Sequence, residues 1–269
     1  MNSQPREIIS STWEVPLYEV KVFAPRRTKY CLVIPVYNEG ERIRSVLTKL
    51  QKYTNRIDVC VLDKGSTDGS LEPSLLQTLG VRALLIKDAY DTGKLSAQLR
   101  MGYAYALNEG YEGIVTIDGN DKDDVDALPS FIVRLDEGYD FVQASRYVPG
   151  GKGINTPAIR DLAIRIIHAP LISILSRFHY TDTTQGYRAY SRTFLLDERV
   201  APFRKIFAGY ELLAYLSVKA PRLGYRVIET PVTRTYPKGK VPTKISAVRG
   251  NLDLFTILAK LCVNGYDKR

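Results

Sequence analysis

The feature that most limits the fold is an alternation, from Tyr30 onward, of short apolar runs with segments of helical periodicity. Such alternation is typical of parallel strands joined by crossover helices. The apolar runs predict strands at residues 31–36, 57–62, 81–86, 113–117 and 140–144. A three-four spacing of apolar residues predicts a helix after Gly40, and further helices are expected at 94–108 and 125–137. We therefore expect an α/β fold with an open, mostly parallel central sheet flanked by helices.

The chain has 269 residues, of which 45% are hydrophobic, and this is enough for one domain with a sizeable core. Disordered and fibrous classes are excluded. No run approaches the roughly 20 apolar residues of a membrane-spanning helix, and residues 1–10 lack the apolar block of a signal peptide. Cys31, Cys60 and Cys262 are too scattered for a disulfide framework, so we expect buried free thiols. These features predict a cytoplasmic protein, soluble or peripheral to the membrane.

The formal net charge of +9 is unevenly distributed. Residues 219–269 contain eleven Lys and Arg against three Asp and Glu, whereas residues 111–140 contain nine acids against two basic residues. A basic C-terminal fifth indicates an anionic partner such as phosphates or a membrane surface, and a solvated basic face is the alternative. A nucleic-acid role would rest on charge alone, so we expect no nucleic-acid partner.

Polar clusters follow the first, second and fourth predicted strands, at residues 37–39, 63–68 and 118–121. In open α/β sheets the loops after the carboxyl ends of the strands form the ligand crevice, so these clusters should line one site. Asp118 and Asn120 offer oxygen ligands at a strand end, where Mg²⁺ or Mn²⁺ bound to phosphates could be held. Taken singly, each cluster is better explained as an ordinary turn.

Taken together, four segments resemble the family-2 glycosyltransferases in order and spacing. These segments are residues 33–39, 61–69, 93–94 and 117–120. They are similar to the family's opening strand and loop, its second-strand aspartate, its glycine-lysine loop and its metal-binding motif. Four further segments resemble the polyprenyl-phosphate branch, the dolichyl-phosphate mannosyltransferase-like enzymes. These are residues 144–147, 182–188, 209–211 and 243–246.

The resemblance covers about residues 30–250 and implies a GT-A fold. It predicts four parts in the chain. They are an N-terminal extension (1–29), a nucleotide-sugar half (30–147), an acceptor half (148–249) and a C-terminal amphipathic helix (250–269).

The resemblance also implies roles for individual residues. It places in the donor pocket Pro35, Tyr37, Glu39, Asp63, Lys94, Asp118 and Gly119. Asp63 would accept hydrogen bonds from the base, and Asp118 with Asn120 would hold Mg²⁺ or Mn²⁺. The expected phosphate contacts of the donor or acceptor are Arg146, Arg188 and Lys244. Asp182 and Glu211 are the candidate catalytic carboxylates, and each could act as a base or merely orient Arg and Lys side chains.

Two positions depart from the family pattern. Lys64 replaces a second acid after Asp63, and it could contact nucleotide phosphates or pair with Asp63. Asn120 replaces the second aspartate of the metal motif, which should weaken divalent affinity unless a neighbouring acid substitutes. The acids that could substitute are Asp121, Asp123 and Asp124.

The resemblance implies an enzyme that moves a sugar from a nucleotide-sugar donor, with inversion, to a polyprenyl-phosphate-type or glycan acceptor in cell-surface polysaccharide biosynthesis. A lipid phosphate is already anionic and needs no strong base, whereas a hydroxyl acceptor needs a carboxylate. An acceptor phosphate at an anionic inner leaflet would also suit the basic C-terminal fifth. The alternative is a degenerate glycosyltransferase fold retained as a binding or scaffold module.

Residues 160–178 carry apolar residues at helical spacing with three arginines between them. The pattern favours a core helix interrupted at Pro170, and an interfacial helix on anionic lipid is the alternative. Residues 250–263 leave the same two choices open.

Overall fold

The computed structural model of the protein describes residues 12–237, 256–263 and 265–266. The strands are β1 (Tyr18–Val22), β2 (Tyr30–Val36), β3 (Asp58–Asp63), β4 (Val81–Lys87), β5 (Gly113–Thr116), β6 (Phe141–Ser145), β7 (Lys152–Ile154), β8 (Arg188–Ser191), β9 (Val227–Pro231) and β10 (Thr233–Thr235). The α-helices are α1 (Glu41–Leu50), α2 (Pro73–Thr78), α3 (Leu95–Asn108), α4 (Leu128–Asp136), α5 (Ala158–Ala163), α6 (Ala169–Ser176), α7 (Arg192–Leu196) and α8 (Glu211–Arg222). Short 3₁₀ turns occupy Gln51–Tyr53 and Val125–Ala127, and a π turn occupies Ile164–His168.

Eight strands form one sheet in the order β1-β4-β3-β2-β5-β8-β6-β9, and β7 pairs with β10 in a second, two-stranded sheet. The central strands β4, β3, β2 and β5 run parallel to one another, and β6 runs parallel to β9. Strand β8 is antiparallel to both of its neighbours, as β1 is to β4. The predicted mostly parallel sheet flanked by helices is confirmed.

Strand β1 lies among the residues that were expected to form an N-terminal extension. It pairs with the edge strand β4, with Tyr18 opposite Lys87 and Val22 opposite Ala83. Its sequence alternates polar and apolar residues and leaves Val22 exposed, so it lacks the continuous apolar run of a buried parallel strand. Alternation of this kind is itself typical of a half-buried strand, so the sequence contained a signal for β1 that continuous apolar runs alone do not show.

Helices cover both faces of the sheet. Helix α1 buries its predicted stripe, which consists of Ile43, Val46, Leu47 and Leu50. On the opposite face, α3 is buried on almost every side between the sheet and α8. A Cβ on Gly102 would lie 2.5 Å from the side chain of Leu62, so only glycine allows α3 to approach β3 this closely.

The segment at residues 158–176 differs from the expected core helix. It is divided into α5, the π turn and α6, with Pro170 in the first turn of α6. The apolar residues that were expected to face the core are instead exposed or only half-buried; they are Leu162, Ile166, Ile167, Leu171, Ile174 and Leu175. Of these six, Leu171 and Leu175 are half-buried and pack against the core, and the fully buried residues of the segment are Ile164, Ala169 and Ile172. The preference for a core helix was therefore wrong for the main apolar stripe.

The described part of the C-terminal region packs on the core. Residues 256–262 are helical, and Ile257, Leu258 and Leu261 are buried. Cys31 and Cys60 are buried free thiols as expected, but Cys262 is exposed because it lies on the outer side of this helix. Among the described residues, no helix is both long and apolar enough to cross a bilayer.

His168, the last residue of the π turn, is half-buried, and its Nδ1 lies 2.6 Å from Oγ1 of Thr183. Burial, with the nearby charge of Arg188, lowers the pKa of His168 from its ordinary 6.5 to about 4. Between these two values the unfolded chain binds a proton that the folded chain does not, so stability falls as the pH falls. We expect His168 to account for a loss of about 3 kcal/mol between pH 6.5 and 4.

Urea unfolding at several pH values measures this effect. His168→Gln should flatten the pH dependence of the free energy of unfolding in that window, whereas His179→Gln, at the exposed second histidine, should leave it unchanged. Parallel pH profiles for the wild type and His168→Gln would contradict the prediction.

Candidate functional site

Three polar loops meet at one edge of the sheet, because β3, β2 and β5 are neighbours and end at nearly the same level. Asp63 lies opposite Val36, and Thr116 lies opposite Val33, so Asp118 follows close beside the end of β2. Neighbouring strands lie roughly 5 Å apart, which places the Asp63 and Asp118 backbones on either side of β2, about 10 Å from each other. The three loops therefore lie at one edge of the sheet, and that they line one ligand site stays a prediction.

The loops after β2 and β3 are tied together by hydrogen bonds. Oδ1 of Asp63 accepts hydrogen bonds from the N–H and the hydroxyl of Ser66, at 2.9 and 2.7 Å. The N–H of Asn38 donates to Oγ of Ser66, and Oδ1 of Asn38 accepts from the N–H of Thr67. Asn38 has a positive φ of 49°, which asparagine tolerates better than most residues. This framework fixes the nearly buried carboxylate of Asp63 at the strand end.

Glu39 and Gly119 lie at the same edge of the sheet, beside the carboxyl end of β2. Glu39 pairs with Arg42 at 2.7 Å, and this pair lies at the start of α1. A Cβ on Gly119 would lie 3.1 Å from Cγ2 of Val36 and 3.3 Å from the carbonyl oxygen of Pro35. The backbone of the loop after β5 therefore lies directly against the end of β2.

Lysines give this side of the site a positive charge. Nζ of Lys64 lies 5.2 Å from the ring centroid of Tyr37, which is 42% exposed. Burial, with the charges of Lys87 and Lys94, lowers the pKa of Lys64 below its ordinary value. Among the ion pairs of the described residues none joins Lys64 to Asp63. Of the two roles left open for Lys64, the arrangement favours contact with an anionic ligand.

Asp118 lies between an arginine and a glycine. Its Oδ2 accepts a hydrogen bond from Nη2 of Arg234 at 3.1 Å and lies 3.4 Å from Nδ2 of Asn120. A Cβ on Gly186 would lie 2.4 Å from Oδ1 of Asp118, so glycine is required beside the carboxylate. Arg234 also pairs with Asp123 through Nη1, at 2.5 and 2.7 Å. One guanidinium thus bridges two acids.

None of the three neighbouring acids replaces the carboxylate missing at Asn120. Asp121 accepts hydrogen bonds from Ser45 and Lys49 on α1. Asp124 caps the following 3₁₀ turn. Asp123 is held by Arg234, and burial, partly offset by that arginine, raises its pKa to about 6.

The donor set for a divalent ion is therefore small. Within the described residues, no group of three His, Cys, Asp or Glu side chains is arranged to hold a metal ion. Asp118 offers a carboxylate and Asn120 an amide oxygen. Mg²⁺ is commonly held by one or two carboxylates together with substrate phosphates and water, so this pair fits an ion that a phosphate ligand helps to bind.

Arg146 and Asp182 form a buried ion pair on the acceptor side. Nε of Arg146 donates to Oδ2 of Asp182 at 2.7 Å, and Nη2 donates to Oδ1 at 3.1 Å. Glu229 accepts hydrogen bonds from the N–H groups of Thr181 and Asp182 and so fixes the loop that precedes β8. Burial alone would raise the pKa of Asp182, but hydrogen bonds from Arg146 and its charge lower it below its ordinary value. These contacts favour an orienting role for Asp182.

Arg188 lies in a different environment from Arg146. Its Nε and Nη2 donate to the carbonyl oxygens of Gln185 and Thr183, and its Nη1 donates to Leu213 and Ser217. Because all three of its side-chain nitrogens donate to internal oxygen atoms, the geometry favours a structural role for Arg188. The third expected phosphate contact, Lys244, lies outside the described residues.

Lys94 and Glu211 lie together where α3 and α8 begin. The N–H of Lys94 donates to the carbonyl oxygen of Ala208, and Oε1 of Glu211 accepts from the N–H of Gly209 at 2.8 Å. They line a cavity of about 250 Å³ with Tyr210, and the C-terminal helix contributes Lys260. Glu211 is the first residue of α8, as the sequence indicated.

Arg234 and Gly186 contact Asp118. Gly186 belongs to the segment 182–188 that carried the resemblance, but neither residue was predicted to be a site residue. Arg234 is separated from Asp118 by more than one hundred residues, and only the fold brings them together. The sequence signal that could have found it is a single arginine between two threonines in the basic C-terminal fifth.

Comparison with known proteins agrees with this geometry. A family model described as glycosyl transferase family 2 matches residues 31–197. Undecaprenyl-phosphate mannosyltransferase of Micrococcus luteus is 29% identical over 202 residues, which cover 75% of this chain and 81% of that protein. Dolichyl-phosphate hexose transferase of Haloferax volcanii is 28% identical over 238 residues, covering 86% and 93%.

A solved structure shares the fold. Glucosyl-3-phosphoglycerate synthase from Mycobacterium tuberculosis, in complex with Mn²⁺, UDP and phosphoglyceric acid, has a TM-score of 0.65 with 18% identity. The match covers 88% of this chain and 78% of that chain. The predicted GT-A fold is confirmed.

Proposed function

Because the chain belongs to glycosyl transferase family 2 and is a glycosyltransferase, we propose that it moves a sugar from a nucleotide-sugar donor to a polyprenyl-phosphate-type acceptor. The observation that carries the proposal is the convergence of the Asp63 and Asp118 loops beside β2, at the edge of the sheet where α/β folds bind nucleotides. The relatives named for polyprenyl and dolichyl phosphates support the choice of acceptor.

The donor half of the site binds and orients the nucleotide. Asp63, fixed by Ser66, would accept hydrogen bonds from the base, while Lys64 and Lys94 would attract the phosphates. A divalent ion on Asp118 and Asn120, when bound, would neutralise charge on the diphosphate leaving group. The similar solved structure of glucosyl-3-phosphoglycerate synthase, which contains Mn²⁺ and UDP, supports a metal of this kind.

The acceptor half holds a second anion near Arg146. The guanidinium of Arg146 is oriented by Asp182, and its Nη1 lies 3.5 Å from the hydroxyl of Tyr236. An acceptor phosphate is already ionised, so its oxygen can attack the anomeric carbon from the side opposite the diphosphate without a strong base. In this scheme Asp182 is a positioning residue, and the products are the inverted glycosyl phosphate and a nucleoside diphosphate.

Thermal unfolding in the presence of nucleoside diphosphates tests the donor site. A ligand at about 100 times its Kd adds about 2.7 kcal/mol to the free energy of unfolding, which corresponds to a rise in Tm of roughly 5–10 °C. We expect one diphosphate to give this shift, with a larger shift when Mn²⁺ is added. The matching nucleoside, which lacks the phosphates, is the control and should shift Tm less. Absence of a shift with every diphosphate would contradict the proposal and favour a scaffold role.

Transfer assays separate the two acceptor classes. Radiolabelled nucleotide sugar should label a short-chain polyprenyl phosphate and leave a saccharide primer unlabelled, because only the phosphate arrives ionised and can attack without a base. Labelling of the primer alone would assign a glycan acceptor, and the carboxylate of Glu211 would then be the group to test as a base.

A further inference from the structure

A cavity of about 250 Å³ lies where α3 and α8 begin, and we call it the α3–α8 cavity. The starts of the two helices contribute Lys94, Tyr210 and Glu211 to its wall, and the C-terminal region contributes Lys260 and Tyr266. Pockets for drug-sized ligands occupy about 300 Å³ or more, so this cavity suits a single small ring rather than a whole nucleotide.

The α3–α8 cavity adjoins the edge of the sheet that carries Asp63. One turn into α3, Nε2 of Gln98 donates to the carbonyl oxygens of Val36 and Leu62, both at 3.0 Å, and these two residues lie at the ends of β2 and β3. Lys94 precedes Gln98 by one helical turn. The hydrogen bonds of Gln98 therefore hold the lysine side of the cavity beside the loops that would bind the nucleotide.

Hydrogen bonds fix the start of α8 against α3. The N–H of Ser96 donates to the carbonyl oxygen of Gly209 at 2.8 Å, and Oγ of Ser96 accepts from the N–H of Leu212 at 3.2 Å. Oε1 of Glu211 accepts from the N–H of Gly209 at 2.8 Å, and the side chain of Glu211 is nearly buried. The carboxylate of Glu211 is therefore held in one position in the cavity wall.

The C-terminal wall of the cavity is anchored to the core. The ring of Tyr266 is buried against Phe207 and Tyr215, with centroid distances of 5.8 and 6.4 Å. Burial, with the nearby charge of Glu211, raises the pKa of Tyr266 to about 12, so the phenol lies near that carboxylate. Nζ of Lys260 lies 5.9 Å from the ring centroid of Tyr266. Packing of Tyr266 thus also positions Lys260 at the cavity.

The cavity wall combines groups of three kinds. Lys94 and Lys260 donate hydrogen bonds, the carboxylate of Glu211 accepts them, and the rings of Tyr210 and Tyr266 offer apolar surface. A free phosphate would meet the like charge of Glu211, and an aliphatic ligand would desolvate the charged groups without giving hydrogen bonds. A sugar ring matches all three kinds, because its hydroxyls both donate and accept and its C–H groups pack on aromatic rings.

We propose that the α3–α8 cavity binds the sugar ring of the nucleotide-sugar donor, and that Lys260 is a specificity-determining contact to the sugar hydroxyls. This assignment rests on the proposed function, since Lys64 and Lys94 would hold the diphosphate and the attached sugar would extend into the cavity. It also gives Glu211 a role in transfer to an ionised acceptor. No proton has to be removed from such an acceptor, so the carboxylate accepts a hydrogen bond from a sugar hydroxyl.

Calorimetric titration of the full chain tests the assignment. The probes are UDP-glucose with UDP, and GDP-mannose with GDP, so the members of each pair differ by one sugar ring. Lys260→Gln should weaken binding of the nucleotide sugar about tenfold, because it removes a charged hydrogen bond, and leave binding of the matching diphosphate within about twofold. Lys260→Arg keeps a charged donor and should recover most of the loss.

The matched control is Lys205→Gln, which makes the same change of charge at an exposed lysine outside the cavity wall. It should bind all four probes as the wild type does. The Tm of each variant checks that the fold is intact.

Two results would overturn the sugar subsite and leave the proposed function standing. One is a wild type that binds a diphosphate while Lys260→Gln changes the affinity for neither member of the pair. The other is an equal loss for both members, which would make Lys260 a phosphate contact. A wild type that binds none of the four probes would overturn the proposed function and the sugar subsite together.

Discussion

Asp118→Asn is expected to lower kcat/KM for sugar transfer by about 10³-fold, which corresponds to about 4 kcal/mol of transition-state stabilisation. The amide keeps the shape of the side chain beside Gly186 and can still accept a hydrogen bond from Arg234. It removes the negative charge that would hold a divalent ion at the diphosphate. The measurement is steady-state transfer with a range of Mn²⁺ concentrations, in which the variant should need far more metal.

Asp121→Asn is the matched control, because it makes the same chemical change three residues away. The Asp121 carboxylate contacts Ser45 and Lys49 on α1. We expect kcat/KM to stay within about threefold of the wild type, with a stability loss below about 1 kcal/mol because the pair with Lys49 is partly exposed. Equal activity losses in the two variants would show that Asp118 has no special role.

The edge of the sheet that carries Asp63 and Asp118 could be predicted because its geometry follows from local sequence. Each of the central strands has a continuous apolar run, and the polar residue that ends the run marks the carboxyl end of a parallel strand. Register then brings Asp63 and Asp118 to the two sides of β2 without any long-range information. Arg234, the partner of Asp118, could not be predicted in this way, since it lies on β10, which pairs with β7 in the second sheet.

The acceptor half was harder to predict because its arrangement also depends on contacts that local sequence does not show. Helical periodicity identifies which residues share a side of a helix, but it does not tell which side faces the core. In residues 158–176 the larger stripe, with Leu162 and Ile166, faces outward, and the smaller one, with Ile164 and Ile172, packs inward. A buried arginine such as Arg188 likewise has the sequence appearance of a phosphate ligand, and only its carbonyl partners indicate a structural role.

Asp182→Asn should lower the free energy of unfolding at pH 7 by about 3–5 kcal/mol, because it leaves the buried guanidinium of Arg146 without its counter-charge. Since the folded pKa of Asp182 is lowered, its contribution is present above the unfolded value of about 3.9 and is lost as the pH falls through the folded one. Urea unfolding of the variant and the wild type should therefore converge under strongly acidic conditions.

Kinetics of the same variant distinguish an orienting carboxylate from a base. A residue that acts through Arg146 should raise KM for the acceptor and leave the pH profile of kcat unchanged, whereas loss of a base would remove the acidic limb of that profile. Glu41→Gln, at the exposed pair with Arg44, is the control and should cost less than about 1 kcal/mol. If Asp182→Asn is as stable as that control, the buried pair does not hold Arg146 in the way the structure indicates, and other contacts must organise the acceptor half.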